Sequence, residues 1–157
     1  MQCIEKLEAA LRLEPANQLA RVYLGSAYTL RSRDLGFGPQ KLKTLNQGVA
    51  LMDQAVAAAP NDGKLRLARA LTVQSLPFFL GRAASARKDF AALAEMDERN
   101  PAQFDQGDEQ IIFHQAALAA VKSGDRGRGA ALFRQALQHP SDSALARKSE
   151  AELALLK

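Results

Sequence analysis

Residues 113–140 read FHQAALAAVKSGDRGRGAALFRQALQHP, and the order of small and large side chains in this stretch decides the fold. Phe113, Ala116, Ala117 and Ala120 stand three and four residues apart, the spacing that keeps side chains on one face of a helix. Ser123-Gly124-Asp125 breaks that run, and a second one follows through Gly129, Phe133 and Ala136 until His139-Pro140-Ser141. The stretch is therefore a pair of short helices joined by a tight turn. The second helix carries a pattern that occurs twice more upstream: a small residue, a large apolar residue four later, Ala three after that, and Pro about five beyond. It is met as Gly48, Met52, Ala55, Pro60 and as Cys3, Leu7, Ala10, Pro15, with Pro140 one residue early in the last copy. Such a recurrence is the mark of stacked helix pairs, each unable to bury its apolar face without its neighbours.

Composition agrees with that architecture. The 157 residues suffice for one domain, and hydrophobic residues make up 47% of them while aromatics are only 6%, with no Trp. An interior built from Ala and Leu follows, in which small side chains let helix axes approach. The 21 Lys and Arg against 17 Asp and Glu leave a net charge of +4, which solvated helix faces account for without a dedicated polyanion surface. A lone Cys3 excludes an intramolecular disulfide framework and a Cys-rich zinc site. The first residues lack the apolar core of a secretory signal, and no window reaches the roughly 18 apolar residues of a spanning helix. The sequence thus predicts a soluble chain, cytoplasmic as written. The recurrence is already under way at Cys3, so the chain opens halfway through a helix pair; the periplasm stays open if a longer protein carries a signal peptide upstream.

The punctuation predicts eight helices and no strand. Gln2 to Leu13 is closed by Glu14-Pro15-Ala16-Asn17, because Pro cannot continue the ladder. Gln18 to about Arg33 carries Leu19, Val22, Tyr23, Ser26, Ala27 and Leu30 as a wide apolar sector, with Gly25 allowing a close neighbour. Asp34 to Pro39 is a break, and helicity resumes near Gln40 and runs to Ala59. Asp62 is placed as N-cap of a helix through Leu65, Leu67, Leu71 and Leu76 that Pro77 ends or kinks. Arg82 to Met96 is helical around Ala86, Phe90 and Leu93. A helix opened by Gln106 or Asp108 runs through Ile111, Ile112 and Leu118 to Val121. The last pair is Arg126 to Gln138 and Asp142 to Leu156. That final helix alternates Ala144, Leu145, Ala151, Leu153 and Leu156 with charged residues, the pattern of an end cap that hides an open face.

With these residues in order, the chain resembles the tetratricopeptide repeat (TPR) family, whose unit of about 34 residues is two antiparallel helices with a W-x2-L-G-x2-Y, A-x3-F, P pattern. Leu24, Gly25 and Tyr28, followed by Gly48, Met52, Ala55 and Pro60, match it, as do the residues of 113–140. Gly25 and Gly48 lie 23 positions apart where the family spacing gives about 12, so some eleven residues are inserted near Arg31 to Asn46. The middle unit is looser: Leu93 replaces the expected Ala, Glu98 stands where Pro would, and the connection around Pro77 to Gly81 is lengthened. The resemblance implies an all-α, right-handed superhelical array of antiparallel helix pairs with about eight helices. It divides the single domain 1–157 into a half repeat (1–15), a repeat with an insertion (18–60), a divergent repeat (63–98), a repeat (108–140) and a capping helix (142–157). A divergent bacterial member is suggested by the insertion together with the segment Leu76 to Arg82.

In this family the first helix of each pair lines a concave groove in which partner peptides lie. The resemblance places Leu19, Val22, Ser26, Thr29 and Leu30 there from one unit, Lys64, Leu67, Leu71, Gln74 and Ser75 from the next, and Ile111, His114, Leu118, Val121 and Lys122 from the last. That groove is mainly apolar, which suits an amphipathic helix or an extended apolar segment; covering by the chain's own helices is the alternative. A subgroup that grips the C-terminal carboxylate of chaperones uses Lys, Asn and Arg at inner positions, and only Lys64 and Lys122 are cationic here. Phe78 and Phe79, adjacent aromatics in a Pro- and Gly-bounded connection, are a candidate anchor or else a plug for an irregular repeat.

Catalytic chemistry finds little support. His114 and His139 lie in different elements with no Cys or carboxylate at metal-ligand spacing. Asp97, Glu98, Asp105, Asp108 and Glu109 lack the spacing of a calcium loop and read as a solvated turn with capping duty. Gly124 to Gly129 is Gly-rich without the Lys-Ser/Thr or preceding strand of a phosphate loop. No enzyme, cofactor or metal is expected. The sequence points to an interaction scaffold that holds a partner protein or peptide, or a second copy of itself. Two other readings stand beside it: binding of a nucleic acid or acidic lipid through Arg31, Arg33, Lys41 and Lys43 or through Arg126, Arg128 and Arg134, and the regulatory subunit of an enzyme.

Overall fold

The computed structural model describes residues 2–77, 80–101, 103–138 and 140–156. Among them are eight helices and no strand: α1 (Gln2–Leu13), α2 (Gln18–Asp34), α3 (Pro39–Ala58), α4 (Gly63–Gln74), α5 (Ala83–Arg99), α6 (Gln106–Lys122), α7 (Arg126–Gln138) and α8 (Ser143–Ala154). They group into two compact units, Met1–Ala83 and Ala84–Lys157. The division falls inside segment 63–98, at the start of α5. Within the first unit α2 packs against α1, α3 and α4, and α3 also touches α4; within the second α7 packs against α6 and α8, and α6 against α8. Phe78, Phe79 and His139 lie outside the described residues.

The helix starts follow from short polar side chains that satisfy the free N–H groups of a first turn. Asn17 Oδ1 accepts from the N–H of Ala20 at 2.9 Å, and Asp62 Oδ1 from Lys64 and Leu65 at 2.9 and 3.2 Å. Asp105 caps α6 through Asp108 N–H at 2.9 Å; Asp142 caps α8 through Ala144 and Leu145 at 2.7 and 3.3 Å. Helix α4 ends at Gln74, two residues short of the expected Leu76, because Pro77 disfavours helical backbone just before it. Its last N–H groups close 3₁₀-type bonds instead, Ser75 to Thr72 O and Leu76 to Val73 O.

The residues inserted between Gly25 and Gly48 form helix, not a long loop. Helix α2 has 17 residues and α3 has 20, leaving only residues 35–38 as the connection, with Pro39 starting α3 where its missing N–H costs nothing. Lys41 Nζ donates to the carbonyls of Arg33 and Leu35 at 3.3 and 3.2 Å and so closes the end of α2. The two helices cross at their glycines. A Cβ on Gly25 would stand 2.5 Å from Gly48 O and 2.6 Å from Met52 Cγ, and one on Gly48 would stand 2.5 Å from Gly25 O. The small residue of the recurrent pattern is thus the contact point of a hairpin. Met52, Ala55, Val22 and Val49 are buried around it. In the first copy of the pattern Cys3 is exposed and Leu7 and Ala10 are half-buried.

In the second unit the turn at 123–125 ends α6 and starts α7 within three residues. Gly124 has φ +94°, where a Cβ would be strained, and Asp125 N–H reaches Ala120 O while Gly124 N–H reaches Val121 O, the paired bonds of a Schellman ending. Asp125 then caps α7 through Arg128 N–H at 2.9 Å. Gly129 rests on α6, since a Cβ there would lie 2.5 Å from Val121 Cγ2 and 3.3 Å from Ala117 O. Ile112, Phe113, Ala117, Phe133 and Ala136 are buried between these helices.

Helix α8 is held differently from the expected apolar cap. Its one buried residue is Ser149; Leu145, Leu153 and Leu156 are half-buried, and Ala144 and Ala151 are exposed. Polar groups of α6 add to the packing of α8 on α7. Gln110, fully buried, donates through Nε2 to Asp142 O at 2.9 Å and accepts from Asp142 N–H through Oε1 at 2.6 Å, mimicking a peptide group. One turn on, His114 Nδ1 lies 2.8 Å from Ser149 Oγ. Ser149 donates its own proton to Leu145 O at 3.1 Å, so His114 is the donor of the pair. The acidic stretch is likewise not a fully solvated turn, because Asp97 and Glu109 are buried.

Candidate functional site

In the first unit α2 and α4 lie side by side and share an exposed face. Ser26 Oγ and Thr72 Oγ1 are 3.0 Å apart; Thr72 donates to Ala68 O at 2.8 Å, so Ser26 donates to Thr72. Arg33 Nη2 donates to Ser75 Oγ at 2.6 Å, and Ser75 donates to Thr72 O at 2.7 Å. These bonds fix the two helices in register. On α2 the positions 19, 23, 26 and 30 recur at helical spacing and form one stripe on the side away from the crossing with α3. Three of its members are large and apolar yet open to solvent: Leu19 is 46% exposed, Tyr23 50% and Leu30 50%. Leu71 on α4 is 37% exposed.

Burial divides the expected groove residues. Leu19, Lys64, Leu71 and Gln74 are exposed and Ser26 half-buried, all on α2 and α4. Val22, Thr29 and Leu67 are buried instead; Thr29 donates to Gly25 O at 2.9 Å and serves the hairpin crossing. In the second unit Ile111 and Leu118 are half-buried, while His114 is core. Its ring meets Phe133 edge-on at 5.6 Å, and burial pushes its pKa down, an effect that Glu152 opposes and Lys148 reinforces, each to a smaller extent. Val22, Thr29, Leu67 and His114 are therefore taken up by packing, because their side of each helix faces a neighbouring helix. Tyr23 is a member of the face that the expected set lacks. Its spacing from Leu19, Ser26 and Leu30 marks the same stripe, but an amphipathic tyrosine is as common inside as outside.

The other side of α2 ties to α1. Tyr28 donates to the Glu8 carboxylate, and that bond, with burial adding to it, raises the phenol above its usual pKa. Several cations expected around the insertion and near the C-terminal pair are engaged within the chain: Arg33 and Lys41 as above, Arg126 with Leu155 O at 3.1 Å, and Arg128 with Glu98 at 2.7 Å. Engaged side chains make a poor polyanion track, which needs several free cations along one backbone. Among the described residues no group of three His, Cys, Asp or Glu could hold a metal ion, and no helix is long and apolar enough to cross a membrane.

No protein-family model and no curated protein matches the sequence. Solved structures do match in shape. One of them is a thermophilic TPR protein, TTC0263 of Thermus thermophilus, which is 18% identical with a TM-score of 0.65 over 96% of this chain and 71% of that one. At such identity the likeness speaks for the fold, and with the helix pairs, the glycine crossings and the Gly124 turn it establishes that the chain has an all-α helical-repeat fold of the TPR type.

Proposed function

We propose that this chain is a protein-interaction module and that the α2/α4 face is where it holds a segment of its partner. The observation that carries the proposal is the stripe of Leu19, Tyr23 and Leu30 beside Leu71, four large apolar side chains left 37 to 50% exposed on helices whose register is fixed by hydrogen bonds. A rigid face is a good receptor because little side-chain and backbone freedom is lost when a partner lands on it. Burying the open half of each residue contributes about 1 kcal/mol, so four together supply about 4 kcal/mol toward an interface that further contacts complete. Tyr is also among the residue types enriched at interface hot spots. A repeat fold of this kind typically binds and does not catalyse, which agrees with the absence of any nucleophile, base and orienting group arranged together in the sequence.

The test is affinity capture from a native extract with the wild-type chain and with Tyr23→Glu/Leu30→Glu, followed by reconstitution with the purified partner. Both substitutions are on exposed positions, so circular dichroism should match the wild type. Binding weakened tenfold or more in the double variant supports the proposal. Binding indifferent to the two charges, or a partner that is a nucleic acid whose retention falls steeply with salt, overturns it.

A further inference from the structure

The second unit contains a groove of about 570 Å³ between α5 and the hairpin of α6 and α7, within the range of roughly 300–1,000 Å³ usual for binding pockets. Its floor is alanine: Ala91 and Ala94 from α5, Ala116, Ala119 and Ala120 from α6. Positions 91 and 94 share one face of α5, as 116, 119 and 120 do on α6. Each helix thus turns a stripe of methyl groups toward the gap. Among the described residues no aromatic ring lines it.

The rim is charged, and most of its cations have no partner among the described residues. Arg128 reaches the groove but is bound to Glu98 at 2.7 Å, which holds the Glu98 carboxyl below its usual pKa. Asp125 is occupied as the cap of α7. What remains is Arg87 and Lys88 on α5 and Lys122 at the end of α6, facing the carboxylate of Glu95. A concavity with an apolar floor and an excess of cations is complementary to an apolar segment that bears carboxylates.

We infer that this groove is a docking site separate from the α2/α4 face, and that its occupant is an acidic peptide segment in which Asp or Glu is interspersed with small apolar side chains. The alanine floor admits the backbone of such a segment closely and gives Ala-, Val- or Leu-sized groups a surface to cover. Carboxylates then meet the guanidinium and ammonium groups in charge-assisted hydrogen bonds, roughly twice as strong as neutral ones. A single-stranded nucleic acid also brings negative charge, but it gains much of its affinity by stacking bases on aromatic rings, and this floor offers alanine methyls in their place.

The test begins with a random peptide library displayed on phage and panned on the intact chain at low salt. The selected peptide, fluorescein-labelled, is then titrated against wild type, against Arg87→Gln/Lys88→Gln/Lys122→Gln, against the groove-filling Ala119→Gln and against Leu30→Glu, with an oligothymidylate as the competing probe. The expected result is enrichment of Asp and Glu among small apolar residues, and at least a tenfold rise in Kd for both groove variants with none for Leu30→Glu. Replacing the peptide's carboxylates by amides should cost a similar factor. Circular dichroism checks that the variants are folded, and the surface triple variant keeps the test informative if Ala119→Gln is not. The inference is overturned if selection yields no acidic preference or no binder, if binding survives the triple variant, if Leu30→Glu abolishes it, or if the oligothymidylate displaces the peptide and binds more tightly.

Discussion

Substituting Gly25 by Ala sets two effects of opposite sign against each other. In an open helix interior, Gly→Ala stabilises by about 1 kcal/mol, because Ala loses less backbone freedom on folding. At Gly25 the added Cβ would stand 2.5 Å from Gly48 O, 2.6 Å from Met52 Cγ and 3.0 Å from Met52 N, whereas a carbon–oxygen contact settles at about 3.3 Å or more. Two of the three atoms are backbone of α3 and Met52 is fully buried, so relief requires the helices to separate. Overpacking costs about 1–3 kcal/mol in ordinary cores, and backbone obstruction belongs at the upper end. The expected net loss is about 2 kcal/mol, a fall in melting temperature of about 4–8 °C for a chain of this size. Tyrosine fluorescence is a suitable probe, since the chain has no Trp and both tyrosines, Tyr23 and Tyr28, lie on α2. Gly127→Ala is the control, because the nearest atom to its Cβ is Asp125 Oδ1 at 3.8 Å, and it should leave stability equal or slightly raised. A Gly25→Ala chain that melts higher than wild type would refute the close crossing of α2 and α3.

Three further outcomes follow from the second unit. Burial holds the His114 pKa below its value of about 6.5 in the unfolded chain; both states are neutral above that value, and as pH falls below it the unfolded chain takes the proton first. Stability should therefore decline below about pH 6.5 by up to about 1.4 kcal/mol per pH unit until the folded-state pKa is reached, a slope that urea titrations should find removed in His114→Gln. Gln110→Ala deletes both bonds to the Asp142 peptide group and should cost about 1–3 kcal/mol, with hydrogen exchange showing α8 opening before the rest of the unit. Glu98→Gln removes a partly exposed ion pair and should cost no more than about 1 kcal/mol; in the wild type this contribution, present above the usual Glu pKa, fades as pH drops through the lowered one, and raised salt weakens it.

The helices are legible in the sequence because their ends are written in residues with few alternatives: Pro15, Asp62, Gly124-Asp125 and Asp142 each stop or start a helix for a local reason. The crossings at Gly48 and Gly129 are legible for the same kind of reason, since only a missing side chain permits such an approach. The docking of α8 is not, because Gln110 and Ser149 are residue types ordinarily found in water, and only a partner brought from 32 or 35 positions away makes them interior. The lengthened hairpin is legible from its punctuation, since no turn signal stands between Gln40 and Gly48 and the helices expected over Gln18–Arg33 and Gln40–Ala59 are met as Gln18–Asp34 and Pro39–Ala58; the departure from the family spacing alone does not show it. The candidate face is half legible. Leu19 and Leu71 do lie on open helix faces, but Val22 and Tyr23 are neighbours in sequence, and which of them is buried depends on where α3 and α4 stand.

The α2/α4 face is tested most directly by methyl NMR of the leucines on titration with the purified partner. The methyl signals of Leu19, Leu30 and Leu71 should shift and broaden saturably while those of the buried Leu65 and Leu93 stay in place. Saturable binding that leaves Leu19, Leu30 and Leu71 unperturbed would contradict it.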